Sequence, residues 1–295
     1  MARAVQCILD QALPAGELEV VVVNDSGAPL PPADWQASPR VRQIVTNRRG
    51  QCVARNTGAA IARGQYLHFL DDDEWLLPGA LAEMAQLAQR HPRADLLYGG
   101  VRLVDSAGRA LREFNAGLDG NAFTQLVAGV WILQQASLIR AKAFFATDGF
   151  YPTLQIGEEV DLGRQLSRLG EVAHTPAVVA CKLNGDGWQT SVDSHPTATE
   201  VNRWSRDRAL AGAGAFGRLR GSANSAYWKG RVLQAYAAAA HWNWKRGQVV
   251  TGASRAAFGL LSLALAGPAL LSPLYWQALR DEHVLNSPGR MLAGL

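Results

Sequence analysis

The sequence predicts an α/β fold in which helices flank a mainly parallel sheet, and three observations support this prediction. Residues 17–25 contain four consecutive valines, which is typical of a strand buried on both faces. Two further apolar segments of strand length follow, at 65–70 and 95–104. Segments with helical spacing separate them, and such an alternation favours a parallel sheet covered by helices.

The other elements of this region follow from local signals. Residues 51–63 have apolar side chains at helical spacing and stop at Gly64. A helix over 78–90 is predicted because proline stands near its first turn and His-Pro follows its end. Weaker patterns predict strands at 41–47, 132–139 and 172–183 and a helix at 158–169.

The composition changes near residue 195. From there the chain is rich in Ala, Arg and Trp and has helical patterning. We therefore expect one α/β domain over 1–195 and a helical C-terminal region over 196–295. With 295 residues, 48% of them hydrophobic, the chain is long enough to bury a full core.

One uncharged segment in the C-terminal region reaches the length needed to cross a bilayer. Residues 256–279 contain no charged side chain, and a spanning helix needs roughly 20 residues. Gly267-Pro268 and Ser272-Pro273 interrupt the segment. We therefore favour two short helices, packed on the protein or in peripheral contact with a membrane surface, over a spanning helix.

The charge and the cysteines narrow the class of protein. A net charge of +4 without a basic run interleaved with aromatics argues against nucleic-acid binding. The small positive excess suits an anionic donor or an anionic membrane surface. Three cysteines without metal-ligand spacing, and no export segment among the first residues, predict a cytoplasmic protein with reduced thiols.

Three aspartates, Asp71, Asp72 and Asp73, follow directly on a predicted buried strand. Ligands bind outside the carboxyl ends of strands in open α/β sheets. Hard cations such as Mg²⁺ and Mn²⁺ prefer carboxylate oxygens and often join them to substrate phosphates. Asp71 and Asp73 lie two positions apart and are expected on one side of the turn. The alternative is a solvated acidic start of the next helix.

Three weaker candidates surround this turn in sequence. Asp25, after Asn24 at a strand end, is placed to accept hydrogen bonds from a nucleobase or ribose, although Asn-Asp-Ser-Gly also favours an ordinary turn. Arg55 is expected to reach a diphosphate or the acidic turn, although surface helix arginines are common. Glu159 is the candidate base for an acceptor hydroxyl, although a charged helix start would look the same.

In chain order these motifs resemble the glycosyltransferases of family 2, which have the Rossmann-like GT-A fold. Residues 50–56 are similar to the family's Gly-x-x-x-Ala-Arg-Asn stretch and residues 71–73 to its DXD motif. Residues 148–150 are similar to its Gly-Gly-Phe stretch, and residues 158–162 to its Glu-Asp-x-Asp-Leu motif. The resemblance covers about residues 3–192.

The resemblance implies a role for each matching residue. The donor nucleotide would be bound by Asn24, Asp25, Arg55, Asn56, Asp71 and Asp72, and Mn²⁺ or Mg²⁺ by Asp73 with Asp71. Glu159 would be the catalytic base, with Glu158 and Asp161 on the acceptor side. Gln135 and Trp188 are added there from their residue types, since aromatic faces pack on sugar rings, with core packing as the alternative. His174 and His195 are weaker candidates for a third metal ligand, and we favour a structural role for both.

The sequence departs from the family pattern at two places. Glu159 stands where Asp is usual, which lengthens the base by one methylene. Family members also open with a buried strand, whereas residues 2–11 resemble the helix that follows it. We therefore expect a domain without its first strand, and we hypothesise a translation start further upstream.

The expected function is a metal-dependent, inverting transfer of a sugar from a nucleotide-sugar donor, with a preference for UDP. The acceptor would be a glycan or a lipid-linked glycan, as in bacterial cell-surface polysaccharide synthesis, at the inner face of the membrane. Two alternatives stay open at this point: a sugar-nucleotide or glycan-binding relative without activity, and a nucleotidyltransferase.

Overall fold

The computed structural model describes residues 1–13, 18–183, 192–213 and 225–280. It contains two compact units. The first comprises Met1–Phe123 and Trp131–Asn184, and the second comprises Thr124–Val130 and Gly185–Leu295. The domain boundary expected near residue 195 stays a prediction.

The first unit begins with a small parallel sheet. Strands β1 (Val20–Asn24) and β2 (Val41–Val45) pair in parallel, and helix α1 (Ala2–Leu9) lies against them. Val5 of α1 packs with Val20, Val22 and Trp35 in a common apolar cluster. Helix α2 (Gln51–Ile61) approaches β1 closely, because a Cβ on Gly58 would lie 3.1 Å from Val23 Cγ2.

A second sheet of six strands forms the larger part of this unit. Its order is β3-β7-β5-β8-β4. Strand β6 lies off this path and pairs with residues 101–104 of β5, beyond the residues that pair with β7. Only β5 and β8 pair in parallel. The bounds are β3 (Tyr66–Leu67), β4 (Glu74–Leu76), β5 (Ala94–Val104), β6 (Ala110–Phe114), β7 (Ser137–Arg140) and β8 (Glu171–Leu183).

Helices cover this sheet and close its core. Met84 and Leu87 of α3 (Ala80–Arg90) pack with Leu97, Val101 and Ala180 of the two central strands, and all five side chains are buried. Helices α5 (Ala141–Phe145) and α6 (Glu158–Leu169) belong to the same unit, whereas all but the first residue of α4 (Phe123–Ala128) belongs to the second unit.

The expectation of a mainly parallel sheet is corrected by the strand pairing. Of the six strand pairs described, four are antiparallel. The apolar composition of a buried strand does not encode its direction. The short turn between β5 and β6 permits only an antiparallel hairpin, because parallel neighbours need a long crossover. The strand expected over 132–139 is also shorter, since a 3-10 turn at Gln134–Ala136 precedes β7.

The described residues of the second unit are mostly helical. It contains α7 (His195–Ala211), α8 (Ser225–Lys245), α9 (Val249–Ala264), a 3-10 turn (Gly267–Leu271) and α10 (Pro273–Arg280). Helices α9 and α10 both pack on α8. The uncharged segment therefore forms two short helices joined by a turn, as expected. Within the described residues, no helix combines the length and apolarity that a membrane crossing requires.

Candidate active site

The aspartate turn joins β3 to β4 and is closed by hydrogen bonds of its own. The Glu74 N–H donates to the Asp71 carbonyl at 3.2 Å, and the Asp71 N–H donates to Glu74 Oε2 at 3.3 Å. This closure brings carboxylate oxygens of Asp71, Asp73 and Glu74 within 4.8 Å of one another. Asp73 is exposed, Asp71 is half-buried and Glu74 is buried. Hard carboxylate donors at this spacing fit Mg²⁺ or Mn²⁺.

A buried ion pair supports the turn from within the sheet. Glu74 on β4 lies opposite Lys182 on β8, and Lys182 Nζ is 2.8 Å from Glu74 Oε1. Burial raises the pKa of Glu74 despite the nearby lysine. Burial alone would lower the pKa of Lys182, but the charges of Glu74 and Glu159 outweigh it and raise that pKa. The sequence analysis missed this pair; the one signal was a charged residue inside each apolar strand.

Arg55 connects the acidic turn to the start of α6. Its guanidinium donates to Asp71 Oδ1 at 2.5 Å and to Glu158 Oε1 at 2.8 Å, and its side chain is only 10% exposed. Burial opposes the charge on Arg55, but the two carboxylates raise its pKa above the usual value. Arg55 therefore reaches the acidic turn, one of the two targets expected from the sequence. Glu158, expected on the acceptor side, turns its carboxylate to this arginine instead.

Glu159 occupies a different environment from Glu158. It lines a small cavity of about 20 Å³ whose other walls include Leu96, Ile139 and Leu166. Burial, together with the negative charge of Glu158, raises the pKa of Glu159 to about 7, although Lys182 and Arg55 act in the opposite direction. A carboxyl group with this pKa is poised to exchange a proton near neutral pH.

Asp161 lies in the interior rather than on an acceptor surface. It is 1% exposed, and its Oδ2 accepts a hydrogen bond from Gln165 Nε2 at 2.9 Å. Gln165 Oε1 in turn accepts from the Asp148 N–H at 3.0 Å. We expected Asp161 to face the acceptor; instead it helps to hold α6 against the Asp148-Gly149-Phe150 turn.

The two asparagines assigned to the nucleotide use their side chains inside the protein. Asn56 Nδ2 donates to the Phe150 carbonyl at 2.7 Å, and Asn56 Oδ1 accepts from the Phe150 N–H at 3.0 Å. Asn24 Oδ1 accepts from the Ser26 N–H and hydroxyl, and Asn24 Nδ2 donates to the Ala28 carbonyl. Both asparagines therefore shape turns, and binding of a nucleotide by them stays a prediction.

Asp25 holds the start of α2. Its Oδ2 accepts from the Gly50 N–H at 2.9 Å, so the turn after β1 and the helix that carries Arg55 are fixed to each other. Asp72 follows Asp71 in the acidic turn but is not among the three clustered carboxylates. For Asp25 and Asp72, contact with the donor stays a prediction.

Two glutamines lie beside this region with part of their hydrogen-bonding capacity unused in the described part of the chain. Gln135, expected on the acceptor side, is buried and its Nε2 has no partner there. Gln134 Oε1 also has none, and Gln134 lines the same cavity as Glu159. The predicted residue Trp188 lies outside the described residues.

The two histidines considered as metal ligands are placed elsewhere. His174 Nδ1 lies 2.9 Å from Asp119 Oδ2. His195 belongs to the second unit, is buried at the start of α7, and has its pKa lowered by burial and by Arg231. Neither belongs to the acidic cluster found among the described residues, so the structural role that we favoured for them is kept.

The charges of the site do not balance. Five carboxyl groups (Asp71, Asp73, Glu74, Glu158 and Glu159) share two cationic side chains, Arg55 and Lys182. Such an excess of negative charge favours a bound cation, and it also raises the pKa of Glu159. The site can therefore hold a divalent ion at the exposed Asp73 and a proton acceptor at Glu159.

Because Asn56 lies close to the 149–150 turn, a substitution at Gly149 is expected to lower the stability of the protein. The φ of Gly149 is +64°, and a Cβ there would lie 2.8 Å from Asn56 Oδ1. We expect Gly149→Ala to lower the free energy of unfolding by about 1–2 kcal/mol for the backbone and by about 1 kcal/mol or more for the clash. Gly120→Ala is the matched control, since Gly120 has φ +71° and open space. Urea unfolding measures both variants, and an equal loss of unfolding free energy in the two would contradict a contribution from the clash.

The raised pKa of Glu159 predicts a stability effect with a defined pH window. The folded protein favours the protonated acid, so this contribution is complete below the ordinary pKa of 4.5 and is lost as the pH rises through about 7. We therefore expect Glu159→Gln to melt at a higher temperature than the wild type at pH 8, with the difference vanishing near pH 4.5. Differential scanning calorimetry at several pH values measures this. The exposed Glu171→Gln serves as control, and a difference independent of pH would contradict the prediction.

Comparison with known proteins agrees with the resemblance noted in the sequence. Residues 1–115 match the family described as glycosyl transferase family 2. This stretch contains the acidic turn but ends before α6. The succinoglycan biosynthesis protein ExoO of Rhizobium meliloti (strain 1021) is 36% identical over 118 residues, which is 39% of this chain and 33% of that protein. The chain thus matches only about a third of this relative's length.

Solved structures share the fold at low sequence identity. The crystal structure of S. aureus TarS 1-349 has a TM-score of 0.55 at 14% identity, covering 79% of this chain and 66% of that one. The mannosyltransferase PcManGT from Pyrobaculum calidifontis, in complex with GDP-Man and Mn²⁺, has a TM-score of 0.53 at 17% identity, covering 96% and 82%. The match to glycosyl transferase family 2 therefore rests on residues 1–115, and the solved structures support a GT-A fold for the described part of the chain.

Proposed function

We propose that this chain transfers a sugar from a nucleotide-sugar donor to a hydroxyl group of an acceptor, assisted by a divalent cation. The observation that carries the proposal is the double ion pair of Arg55 with Asp71 and Glu158. It joins the acidic turn and the start of α6 into one charged site. A metal-binding turn and a candidate base are then close enough for electrostatic coupling, as the influence of Asp71 on the pKa of Glu159 indicates.

The cation is assigned to Asp73 and Asp71. Glu74 completes the cluster, but its two oxygens accept hydrogen bonds from Lys182 and from the Asp71 N–H, so we give it a supporting role. When bound, Mn²⁺ or Mg²⁺ would neutralise charge on the departing diphosphate. The PcManGT structure that shares the fold contains Mn²⁺ with its GDP-Man, which supports this assignment.

The donor would lie over the edge where β1, α2 and the acidic turn meet. Asp25, Asp72 and the half-buried Asp71 offer acceptors for nucleoside hydroxyl and N–H groups, and Asn24 and Asn56 shape the adjoining turns. We prefer a UDP-sugar. TarS, which shares the fold, has been crystallised with UDP-GlcNAc, whereas PcManGT carries GDP-Man.

Glu159 would take the proton of the attacking hydroxyl. With a pKa of about 7, roughly half of this carboxyl group is ionised at neutral pH, and its conjugate acid is a weak enough acid to keep the proton once transferred. Attack from the side opposite the diphosphate inverts the configuration at the anomeric carbon. Arg55 and Lys182 limit the build-up of negative charge around the base.

The acceptor is proposed to be a glycan or a lipid-linked glycan of a cell-surface polysaccharide. ExoO is named for succinoglycan biosynthesis, which supports this class. A location at the cytoplasmic face of a membrane is part of the proposal, because lipid-linked acceptors are found there. The alternative function is binding of a sugar nucleotide or glycan without catalysis. The presence of Glu159 in place of the usual Asp favours this alternative.

The metal assignment predicts a response that depends on Asp73. In thermal-shift measurements with Mn²⁺ and a panel of UDP- and GDP-sugars, we expect the wild type to gain several degrees only when metal and donor are both present. Asp73→Asn should lose this gain. Asp34→Asn removes an equal charge from an exposed position of the same unit, outside the carboxylate cluster and the proposed donor site, and it should keep the response to Mn²⁺ and donor. Equal behaviour of the two variants would contradict the assignment.

The base assignment predicts a pH profile for donor turnover. Release of nucleoside diphosphate, measured with Mn²⁺ and an acceptor, should fall below a pH of about 7 as Glu159 becomes protonated. Glu159→Gln should lower kcat by about 10²–10⁴-fold with little change in donor binding. Unchanged turnover in Glu159→Gln would remove the base assignment. Donor binding without any release would favour the binding relative, and release of pyrophosphate would favour a nucleotidyltransferase.

A further inference from the structure

Helix α9 packs on α8 through its smallest residues. Gly252 and Gly259 are its buried positions and lie seven residues apart, so they share one side of the helix. A Cβ on Gly252 would lie 2.3 Å from Trp244 Cδ1, and one on Gly259 would lie 3.4 Å from Tyr236 Cβ. The side of α9 that faces α8 therefore has room only for glycine at position 252, whereas a Cβ at position 259 would make an ordinary contact.

The opposite side of α9 exposes large apolar side chains. Val250, Leu261 and Leu265 project from it with 84%, 51% and 70% of their surface exposed. Helices on the surface of a globular protein normally bury such a stripe and expose polar residues. Leu260, Leu261 and Leu265 lie within two helical turns of one another, and grouped apolar residues of this kind mark an interaction site, whereas scattered single residues do not. We call this surface the apolar face; its residues are Val250, Leu260, Leu261 and Leu265 with Leu271 and Trp276 beyond the helix, while the ring of Phe258 stacks on Tyr236 of α8.

Exposed basic residues lie beside the apolar face. Residues 208–280 contain nine Lys and Arg residues and no Asp or Glu, although Arg231 is buried and Arg255 of α9 pairs with Asp193. Lys245 and Arg246 are exposed directly before α9, and Arg280 is exposed at the end of α10. Arg246 lies 3.8 Å over the ring of Trp242, and the neighbouring Trp244 is also exposed. Tryptophan and basic side chains beside an apolar surface are typical of a protein at a membrane interface.

We propose that the apolar face docks on the surface of a membrane that contains anionic lipids. Its leucines and valine would enter the boundary between headgroups and acyl chains, while Lys245, Arg246 and Arg280 would meet lipid phosphates. The helix would lie along the surface, in agreement with the lack of a crossing helix among the described residues. A second copy of the chain fits less well, because it would bring the same positive charges to the contact. The inference does not depend on the proposed transferase activity.

Vesicle flotation tests the proposal with the full chain. We expect the wild type to float with vesicles of phosphatidylglycerol and phosphatidylcholine, and at least tenfold less with phosphatidylcholine alone. Leu261→Ser with Leu265→Ser should reduce binding to the anionic vesicles at least tenfold. Val45→Ser with Leu111→Ser is the matched control, since both side chains are exposed in the first unit. Circular dichroism checks that both double variants are folded.

A second pair of variants tests the charge. Lys245→Glu with Arg246→Glu should weaken binding to anionic vesicles by about tenfold or more, since each basic residue contributes on the order of 1 kcal/mol near such a surface. It should leave binding to neutral vesicles unchanged. Two results would overturn the proposal: flotation equal in the leucine variant and its control, or absence of flotation in the wild type. Self-association in the ultracentrifuge that the leucine variant abolishes, without vesicle binding, would assign the face to a second copy instead.

Discussion

The site depends on the position of Arg55, whose guanidinium spans Asp71 and Glu158 across elements about a hundred residues apart in sequence. Three carboxylates crowded onto a turn repel one another, and this repulsion grows as water is excluded. The arginine offsets part of it from α2, and Lys182 offsets another part through Glu74. Asp25 and Asn56 fix both ends of this arrangement by anchoring α2 and the turn at Phe150.

The same charge balance explains why the adjacent Glu158 and Glu159 have different surroundings. Glu158 is paired with Arg55, whereas Glu159 borders an apolar cavity and has a pKa raised to about 7. A carboxyl group with a strongly raised pKa beside an apolar cavity is typical of a site selected for chemistry, because an apolar side chain would suit the cavity better. The glutamate in place of the usual aspartate keeps a proton acceptor at this position.

Local structure followed from the sequence more accurately than contacts between residues far apart in the chain. Local patterns located β1, β2, α2, α3, β5, α6 and β8 within a few residues, since helix and strand periodicity and end signals act within one segment. Strand direction was wrong for β4 and β7, which pair antiparallel with the distant strands β8 and β5, because local composition does not encode direction. Asp161 and Glu158 were placed on the acceptor side because their motif was matched as a unit, whereas burial and hydrogen bonding separate their roles.

By itself the sequence determined the elements, the acidic turn and the residue types that suit a sugar-nucleotide site, because these are properties of neighbouring residues. Tertiary structure decided which of those side chains meet. Distant segments meet at three places: the Lys182–Glu74 pair, the ion pairs of Arg55 and the cavity beside Glu159. Such pairing and burial depend on the packing of the whole unit. The orientation of α9 was likewise decided by packing, because glycines allow α8 to approach one side and leave the leucines outside.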